Sequence, residues 1–234
     1  MSAMGKKVAI VQSNYIPWKG YFDLIHAVDE FILFDDMQYT RRDWRNRNRI
    51  KTANGPAWLT IPVVVKGRYL QRIADTVVSD PSWSRLHWKT IVHHYSKTPY
   101  FRKYGDMFEQ IYREATDTYL SAINHRFLVA ICELLGIRTK VSWSSAYPPS
   151  DGKTERLVHL CKCTGAGEYV SGPSARAYLV PRLFEEADIS LQYFSYEGYP
   201  EYRQLFPPFD HAVSIIDLIF NEGPDASRYL LTFK

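Results

Sequence analysis

The sequence predicts an α/β fold built on a parallel sheet, with a helical insertion in the middle of the chain. Three observations support this prediction. Short apolar runs at residues 7–11 and 31–34 flank a stretch with helical spacing of apolar residues, and together they form a βαβ unit. Residues 81–136 keep a helical period throughout. After residue 136, strand and helix patterns alternate again, as in a chain that returns to the same sheet.

The first elements are predicted from their apolar runs and from the polar residues that end them. Strands are predicted at residues 7–11, 31–34 and 57–65, and the first helix at residues 20–28. Pro62 favours an edge position or a bulge for the third strand, because proline cannot donate a ladder hydrogen bond. The polar and basic residues 35–51 predict a loop before that strand.

The helical insertion begins at Asp80 and Pro81, a pair typical of a helix N-terminus, and Gly136 is a predicted C-cap. Residues 81–136 are therefore interpreted as an insertion or lid. The chain is accordingly divided into residues 1–80, residues 81–136 and residues 137–234, of which the first and last form the two halves of the α/β core.

The second half of the core repeats the alternation. Strands are predicted at residues 139–143, 168–170 and 189–194, and helices at residues 151–163 and 175–186. A final helix begins at Ser214, and Asp217 lies at the spacing of a capping box from it.

Composition and charge exclude several classes of protein. Hydrophobic residues make up 46% and charged residues 23%, as in globular proteins, and the net charge of +4 does not by itself indicate nucleic acid. No apolar run approaches the roughly 20 residues that span a bilayer. The N-terminal run at residues 8–11 is too short for a signal peptide, so a cytoplasmic location is expected. Three cysteines argue against a disulfide framework, and no metal site is predicted.

The first candidate loop, residues 12–20, joins the first strand to a helix N-terminus. Ligands of parallel sheets bind beyond the carboxyl ends of the strands, and a helix N-terminus favours an anion. The alternative is an ordinary loop in which Gly20 eases the turn and Trp18 packs on the core. The loop residues predicted to bind substrate are Gln12, Asn14, Tyr15, Trp18, Lys19 and Gly20.

The second candidate loop, residues 35–51, carries six basic residues and one acid between Arg41 and Lys51. Arginine matches phosphate or carboxylate with a planar fork of donors. Asp36 is a candidate catalytic residue that accepts a proton, orients a basic partner or helps hold magnesium. A solvated basic loop and a single-stranded nucleic-acid site are the alternatives. The other predicted site residues here are Arg41, Arg42, Trp44, Asn46, Arg47, Asn48 and Lys51, with Arg47 assigned a catalytic role.

The third candidate loop follows the strand at residues 168–170. Ser171 and Gly172 are predicted to donate hydrogen bonds to a developing oxyanion, with Ser171 in the catalytic set, and a plain helix cap is the alternative. The chain has no Gly-x-Ser-x-Gly elbow, so a hydrolase triad is not supported. The seven histidines lack metal-binding spacing; His94 and His159 are candidate bases that nothing singles out.

Two N-terminal motifs carry a resemblance to a known family. The segments Gln12-Ser-Asn-Tyr-Ile-Pro-Trp-Lys-Gly20 and Arg42-Asp-Trp-Arg-Asn-Arg-Asn-Arg-Ile-Lys51 resemble the WbqC-like family, and the similarity continues through residues 58–63, 169–172 and 214–221. This resemblance spans nearly the whole chain. It implies a mostly bacterial setting among genes for O-antigen and other surface polysaccharides.

A weaker resemblance concerns the nucleotidyltransferase-like α/β fold, which carries a His-x-Gly-His loop after its first strand. The corresponding segment here is Trp18-Lys-Gly-Tyr21, which retains the glycine and lacks both histidines. The resemblance therefore implies the fold and argues against adenylyl transfer of that kind.

The resulting hypothesis is a transferase that forms an amide on the amine of a nucleotide-linked amino sugar in polysaccharide assembly. In it the arginines, Lys51 and the Lys19-Gly20 loop bind the diphosphate, and Trp18, Tyr15 or Trp44 stacks on a base or sugar. The sequence assigns no cofactor and contains no Walker A loop. The alternatives are a non-catalytic module that binds nucleic acid or a sugar nucleotide, and a nucleotidyltransferase with an altered loop. Association into a homo-oligomer is left open.

Overall fold

The α/β fold is confirmed by the computed structural model, which describes residues 5–233. Residues 1–4, part of the stretch considered above for a signal peptide, lie outside the described residues. The strands are β1 (Lys6–Val11), β2 (Glu30–Leu33), β3 (Arg47–Thr52), β4 (Gly55–Thr60), β5 (Lys140–Trp143), β6 (Ala166–Ser171) and β7 (Ser190–Tyr193). The helices are α1 (Lys19–His26), α2 (Trp83–Tyr95), α3 (Phe101–Glu114), α4 (Leu120–Leu135), α5 (Thr154–Thr164), α6 (Pro181–Glu185) and α7 (Ile215–Glu222).

The main sheet, as described within residues 5–233, has five parallel strands in the order β5-β2-β1-β6-β7. In chain order this is third, second, first, fourth, fifth, which is the arrangement of doubly wound α/β sheets. The order reverses between β1 and β6. The carboxyl ends of all five strands meet at one edge, where ligands of such sheets bind.

Both faces of the sheet are buried, which explains why its strands are read from the sequence as apolar runs. In β1 the alternation sends Ala9 into one hydrophobic cluster, with α1, α4 and α7, and Val8 and Ile10 into a second cluster, with α5 and α6. No helix within residues 5–233 is long and apolar enough to cross a membrane.

The loop predicted through Lys51 is wrong in its second half. Residues 47–52 form β3, which pairs with β4 in an antiparallel hairpin that joins Arg47 to Thr60 and Thr52 to Gly55. The alternation of charged residues with Asn48 and Ile50, both buried, is the strand signal that the density of arginines concealed. Gly55 adopts a positive φ of 93° at the hairpin turn, a conformation that glycine takes without strain.

Three helices occupy the region predicted as a helical insertion. Asp80 accepts a hydrogen bond from the Ser82 amide at 2.8 Å ahead of α2, and Gly136 ends α4 in the left-handed conformation, as predicted. The ring of Phe220 in α7 lies 5.1 Å from that of Phe101 and 5.2 Å from that of Phe108. The helices therefore share one hydrophobic core with α7.

The second half of the core follows the prediction except at residues 175–186. A 3₁₀ helix (Pro173–Ala177) and the short α6 replace the continuous helix, because Pro181 lacks an amide hydrogen and holds Val180 in an extended conformation. Ser214 caps α7, and its hydroxyl accepts a hydrogen bond from the Ile216 amide at 3.3 Å.

A buried histidine makes the fold sensitive to acid. His87 in α2 donates from Nε2 to the carbonyl oxygen of Thr60 at 3.2 Å, so its Nδ1 accepts from the Tyr15 hydroxyl at 2.9 Å. Burial lowers the pKa of His87 to about 4, and the imidazole is neutral in the folded protein.

We predict that stability falls on acidification because His87 must be neutral in the folded state. An unfolded histidine has a pKa of about 6.5, so this contribution is complete above that pH and is lost as the pH falls towards 4. The free energy of unfolding in urea should fall between pH 7 and pH 4.5, and its decrease should be about 2 kcal/mol larger in the wild type than in His87→Phe. His93→Phe, at an exposed site on α2, should keep the wild-type decrease; equal decreases in all three proteins would contradict the assignment.

Candidate functional site

A long irregular segment joins β7 to α7 and lies beside the loop that follows β1. We call residues 194–214 the connecting segment; none of them belongs to a helix or strand. Segments of this length without secondary structure are uncommon in compact domains and are often functional. The connecting segment is therefore a candidate part of a ligand site.

Lys19 and Lys51, both predicted to bind a phosphate, donate hydrogen bonds to the connecting segment. The Lys19 ammonium donates to the carbonyl oxygen of Pro200 at 2.8 Å and lies 5.2 Å from the ring centre of Tyr199. Lys51 donates to the carbonyl oxygen of Pro208. Both lysines are only 3% exposed. Burial lowers the pKa of Lys19 to about 8.

Two carboxylates complete the anchoring of the connecting segment. Asp217 accepts hydrogen bonds from the Tyr202 hydroxyl at 2.7 Å and the Gln204 amide at 2.8 Å, and from Tyr95 of α2 at 3.0 Å. Its side chain thus serves this buried network and not the predicted capping box, and burial raises its pKa. Asp23 of α1 accepts from the Tyr199 hydroxyl at 2.6 Å.

The connecting segment closes a cavity of about 260 Å³ beside the loop that follows β1. We call it the indole cavity, because two tryptophans contribute to its wall. Four residues predicted to bind substrate from the first two candidate loops meet here, together with two residues of the connecting segment. The lining residues are Asn14, Pro17, Trp18, Trp44, Asn48, His211 and Ala212.

The amides in the indole cavity have fixed positions. Asn48 of β3 donates to the carbonyl oxygens of Tyr15 and Ile16, both at 3.0 Å, and thereby holds the loop after β1 against the hairpin. Arg45 donates to the side-chain oxygen of Asn14. These contacts leave the two amides on adjacent walls of one cavity.

Gly20 makes room for the indole of Trp18. A Cβ at residue 20 would lie 2.3 Å from the Trp18 ring. The same ring packs against Tyr196 and Tyr199 of the connecting segment, at 5.3 and 5.5 Å between ring centres. Trp18 is thus fixed between α1 and the connecting segment.

A second cavity, of about 200 Å³, lies at the start of β3, and we call it the arginine cavity. Three arginines predicted to bind an anion meet in its wall, with Asn46 among them. Arg47 also places its guanidinium 4.0 Å from the ring centre of Trp58. The lining residues are Tyr39, Arg41, Arg42, Asn46, Arg47, Thr60, Ile61, Pro62, Val63 and Val65.

The two cavities are neighbours along β3. Asn46 immediately precedes β3 and lines the arginine cavity, and Asn48, two residues further along the chain, lines the indole cavity. Two different chemical groups of one ligand can therefore be bound side by side.

Several predicted site residues make their contacts outside the two cavities. Tyr15 is fully buried, with its hydroxyl 2.7 Å from that of Tyr112, so its side chain belongs to the core and cannot stack on a ligand. Asp36 pairs with Arg156 and accepts from Ser144 at 2.8 Å. It therefore orients a basic partner, as one of the predicted alternatives states, but lines neither cavity.

The remaining predicted residues lie along the carboxyl edge of the sheet. Ser171 is 5% exposed, its hydroxyl accepts from Tyr169 at 3.3 Å, and it lines neither cavity. Gly172 begins the 3₁₀ helix after β6, close to Tyr196. Gln12 contributes its backbone carbonyl, which accepts from the Tyr21 hydroxyl at 2.9 Å.

His211 is a site residue that the sequence reasoning missed. It lines the indole cavity from the connecting segment, and its ring lies 4.5 Å from that of Phe209. Burial and the nearby charge of Lys19 lower the pKa of His211, against the opposing effect of Glu201 and Asp210. The imidazole is therefore neutral at neutral pH and able to accept a proton. The sequence signal for His211 is its position in a long segment that lacks a helix or strand pattern.

The described part of the chain, residues 5–233, contains no group of three or more His, Cys, Asp or Glu side chains arranged to hold a metal ion. The chemistry of the two cavities thus comes from arginine, amide, indole and imidazole groups.

Comparison with known proteins shows the family to which the chain belongs. The family model described as WbqC-like protein family matches residues 12–229. The chain is 54% identical over 225 residues to the uncharacterized protein Rv1507c of Mycobacterium tuberculosis, covering 96% of this chain and 97% of that protein. No solved structure matches the chain significantly. The match includes all residues that line the two cavities.

We predict that Asp217→Asn destabilises the protein, because the variant loses a charged acceptor for buried donors. The free energy of unfolding in urea should fall by about 2 kcal/mol. Asp106→Asn, at an exposed site on α3, is the matched control and should change it by less than about 0.5 kcal/mol. Equal, small effects of both substitutions would show that Asp217 does not anchor the connecting segment.

Proposed function

The chain belongs to the WbqC-like protein family, and we propose that it is a transferase acting on a nucleotide-linked amino sugar during assembly of a bacterial surface polysaccharide. The reaction proposed is amide formation on the sugar amine. The observation that carries this proposal is the indole cavity, in which two tryptophans, two asparagines and a neutral histidine line one small space.

The indole cavity has the chemistry that sugar recognition requires. Indole faces contact the apolar C–H groups of a sugar ring, and the side-chain N–H groups of Asn14 can donate to its hydroxyl groups. Cavities for drug-sized ligands measure about 300–1,000 Å³. At about 260 Å³ the indole cavity is smaller, which supports binding of a single ring there and of the rest of the ligand outside it.

His211 supplies the proton chemistry of the proposed reaction. The lone pair of the sugar amine forms the new N–C bond at the acyl carbon, and the leaving group departs with the electron pair of the broken bond. The nitrogen must lose a proton in this step, and a neutral imidazole in the same cavity can accept it. The imidazole then returns the proton to the leaving group.

Exposed aromatics on the hairpin favour one further candidate function. Trp44 and Trp58 are 39% and 45% exposed, and Arg47 lies over Trp58. Basic and aromatic side chains in this combination also bind single-stranded nucleic acid, whose affinity falls steeply with salt. A salt titration with a short oligonucleotide separates this candidate from the transferase.

We predict that Trp44→Ala weakens binding of a nucleotide-linked amino sugar by about ten-fold, because one indole wall of the cavity is lost. Isothermal titration calorimetry measures the affinity. Tyr178→Ala, which removes an aromatic ring that is 61% exposed outside both cavities, is the matched control and should bind as the wild type does. Equal affinities of all three proteins would exclude the indole cavity as the sugar site.

We predict that His211→Gln lowers the rate of transfer at least about 100-fold while sugar binding is kept, because the general base is lost. The wild-type rate should rise with pH through a pKa below 6.5, since the base must be neutral and burial lowers its pKa. Product formation by mass spectrometry across pH 5–8 measures both effects. An unchanged rate and pH profile in His211→Gln would contradict the assignment.

A further inference from the structure

We propose that the arginine cavity is a phosphate-binding subsite, which binds the phosphoryl groups of the ligand while its sugar ring lies in the indole cavity. This inference rests on the proposed function for the identity of the sugar. The phosphate subsite itself is argued from the contacts of the arginine cavity alone.

The charge around the arginine cavity is not neutralised by the protein. Residues 37–72 contain nine Lys or Arg residues and a single acid, Asp43, and of these nine Arg72 forms an ion pair with Asp75. Asp43 forms its ion pair with Arg45, at 3.6 Å. Within the described part of the chain no carboxylate lies within 4.0 Å of the guanidinium groups of Arg41, Arg42 or Arg47. Three guanidinium groups without a carboxylate partner around one small cavity favour a multiply charged oxyanion, which arginine binds with two parallel hydrogen bonds.

Buried polar atoms at the cavity also lack partners. Asn46 is 6% exposed and donates to the carbonyl oxygen of Ile61 at 2.7 Å, while its side-chain oxygen has no hydrogen-bond partner among residues 5–233. The Nε of Arg47 is likewise buried and unpaired among these residues. Buried polar groups are nearly always hydrogen-bonded, so both atoms point to a ligand.

The two unpaired atoms define the chemical class of that ligand. Arg47 Nε is a donor and requires an acceptor, which a phosphoryl oxygen provides. The oxygen of Asn46 is an acceptor and requires a donor, which a hydroxyl group next to the phosphate provides. Fully ionised orthophosphate or pyrophosphate lacks the donor. A phosphate ester of a sugar or nucleoside satisfies both atoms.

Backbone strain is found in the same place. Arg42 has a positive φ of 59°, which is unfavourable for a residue other than glycine, and its carbonyl oxygen accepts from the Arg47 guanidinium. This conformation puts the side chains of Arg42 and Arg47 in the wall of one cavity. Strained backbone of this kind is typical of ligand-binding sites.

Two other cations near the carboxyl edge of the sheet are already paired within the protein. At the N-terminus of α1, the Lys19 ammonium is bound to the connecting segment. At the carboxyl edge of the sheet, the charge of Arg156 is matched by Asp36. The arginine cavity therefore combines free positive charge with unpaired buried atoms.

Calorimetric titration with pyrophosphate and with uridine diphosphate, at constant ionic strength set with sodium chloride, tests the subsite. Wild-type protein should bind both probes, and uridine diphosphate more tightly because its ribose hydroxyls supply the donor for Asn46. Arg41→Ala should weaken both by about ten-fold, as expected on loss of one charge-assisted interaction. Arg138→Ala removes an exposed arginine ahead of β5 and is the matched control, with wild-type affinity expected. Thermal unfolding shows whether the variants fold equally well.

The same titrations separate this inference from the proposed function. Trp44 lines the other cavity, so Trp44→Ala should keep the wild-type affinity for pyrophosphate. If pyrophosphate binding depends on Arg41 but no amino sugar is bound or modified, the phosphate subsite stands and the transferase is excluded. Absence of binding to wild-type protein, or equal losses in Arg41→Ala and Arg138→Ala, would overturn the subsite. Tighter, steeply salt-dependent binding of an oligonucleotide through Arg41 would overturn it in favour of nucleic acid.

Discussion

The site depends on how four buried charges fix the connecting segment. Lys19 and Lys51 donate to its backbone carbonyls, while Asp217 and Asp23 accept from its tyrosines. Burying a charge is costly unless the group is hydrogen-bonded, so these contacts hold the segment in one position. Because the connecting segment supplies His211 and packs against Trp18, these anchors fix part of the wall of the indole cavity.

Two cavities lined by different chemical groups lie beside the β3–β4 hairpin. Asn46, just before β3, and Asn48, within it, line two neighbouring cavities. Arg47, between them on the strand, packs over Trp58 and lines the arginine cavity. The start of β3 thus brings the two cavities side by side, which is the arrangement that the proposed phosphorylated sugar requires.

The parallel sheet and most helices could be predicted because their apolar periods are strong. The first two candidate loops also contribute residues that line the two cavities, as expected of ligand loops. The roles of Lys19 and Lys51 could not be predicted, because a lysine that binds a distant carbonyl looks the same in sequence as one that binds a phosphate. Tyr15 was misassigned for a similar reason, since its burial depends on α2 and α3. His211 was missed because the connecting segment has no periodic pattern to place it.

The most direct test of the account is a crystal structure of the protein in complex with a nucleotide-linked amino sugar. We expect the sugar ring between Trp18 and Trp44, within reach of His211, and the phosphoryl groups against Arg41 and its neighbours in the arginine cavity. A ligand bound instead at the strand-order reversal between β1 and β6, with neither cavity occupied, would contradict the account. The ligand site would then lie where doubly wound sheets generally bind their ligands.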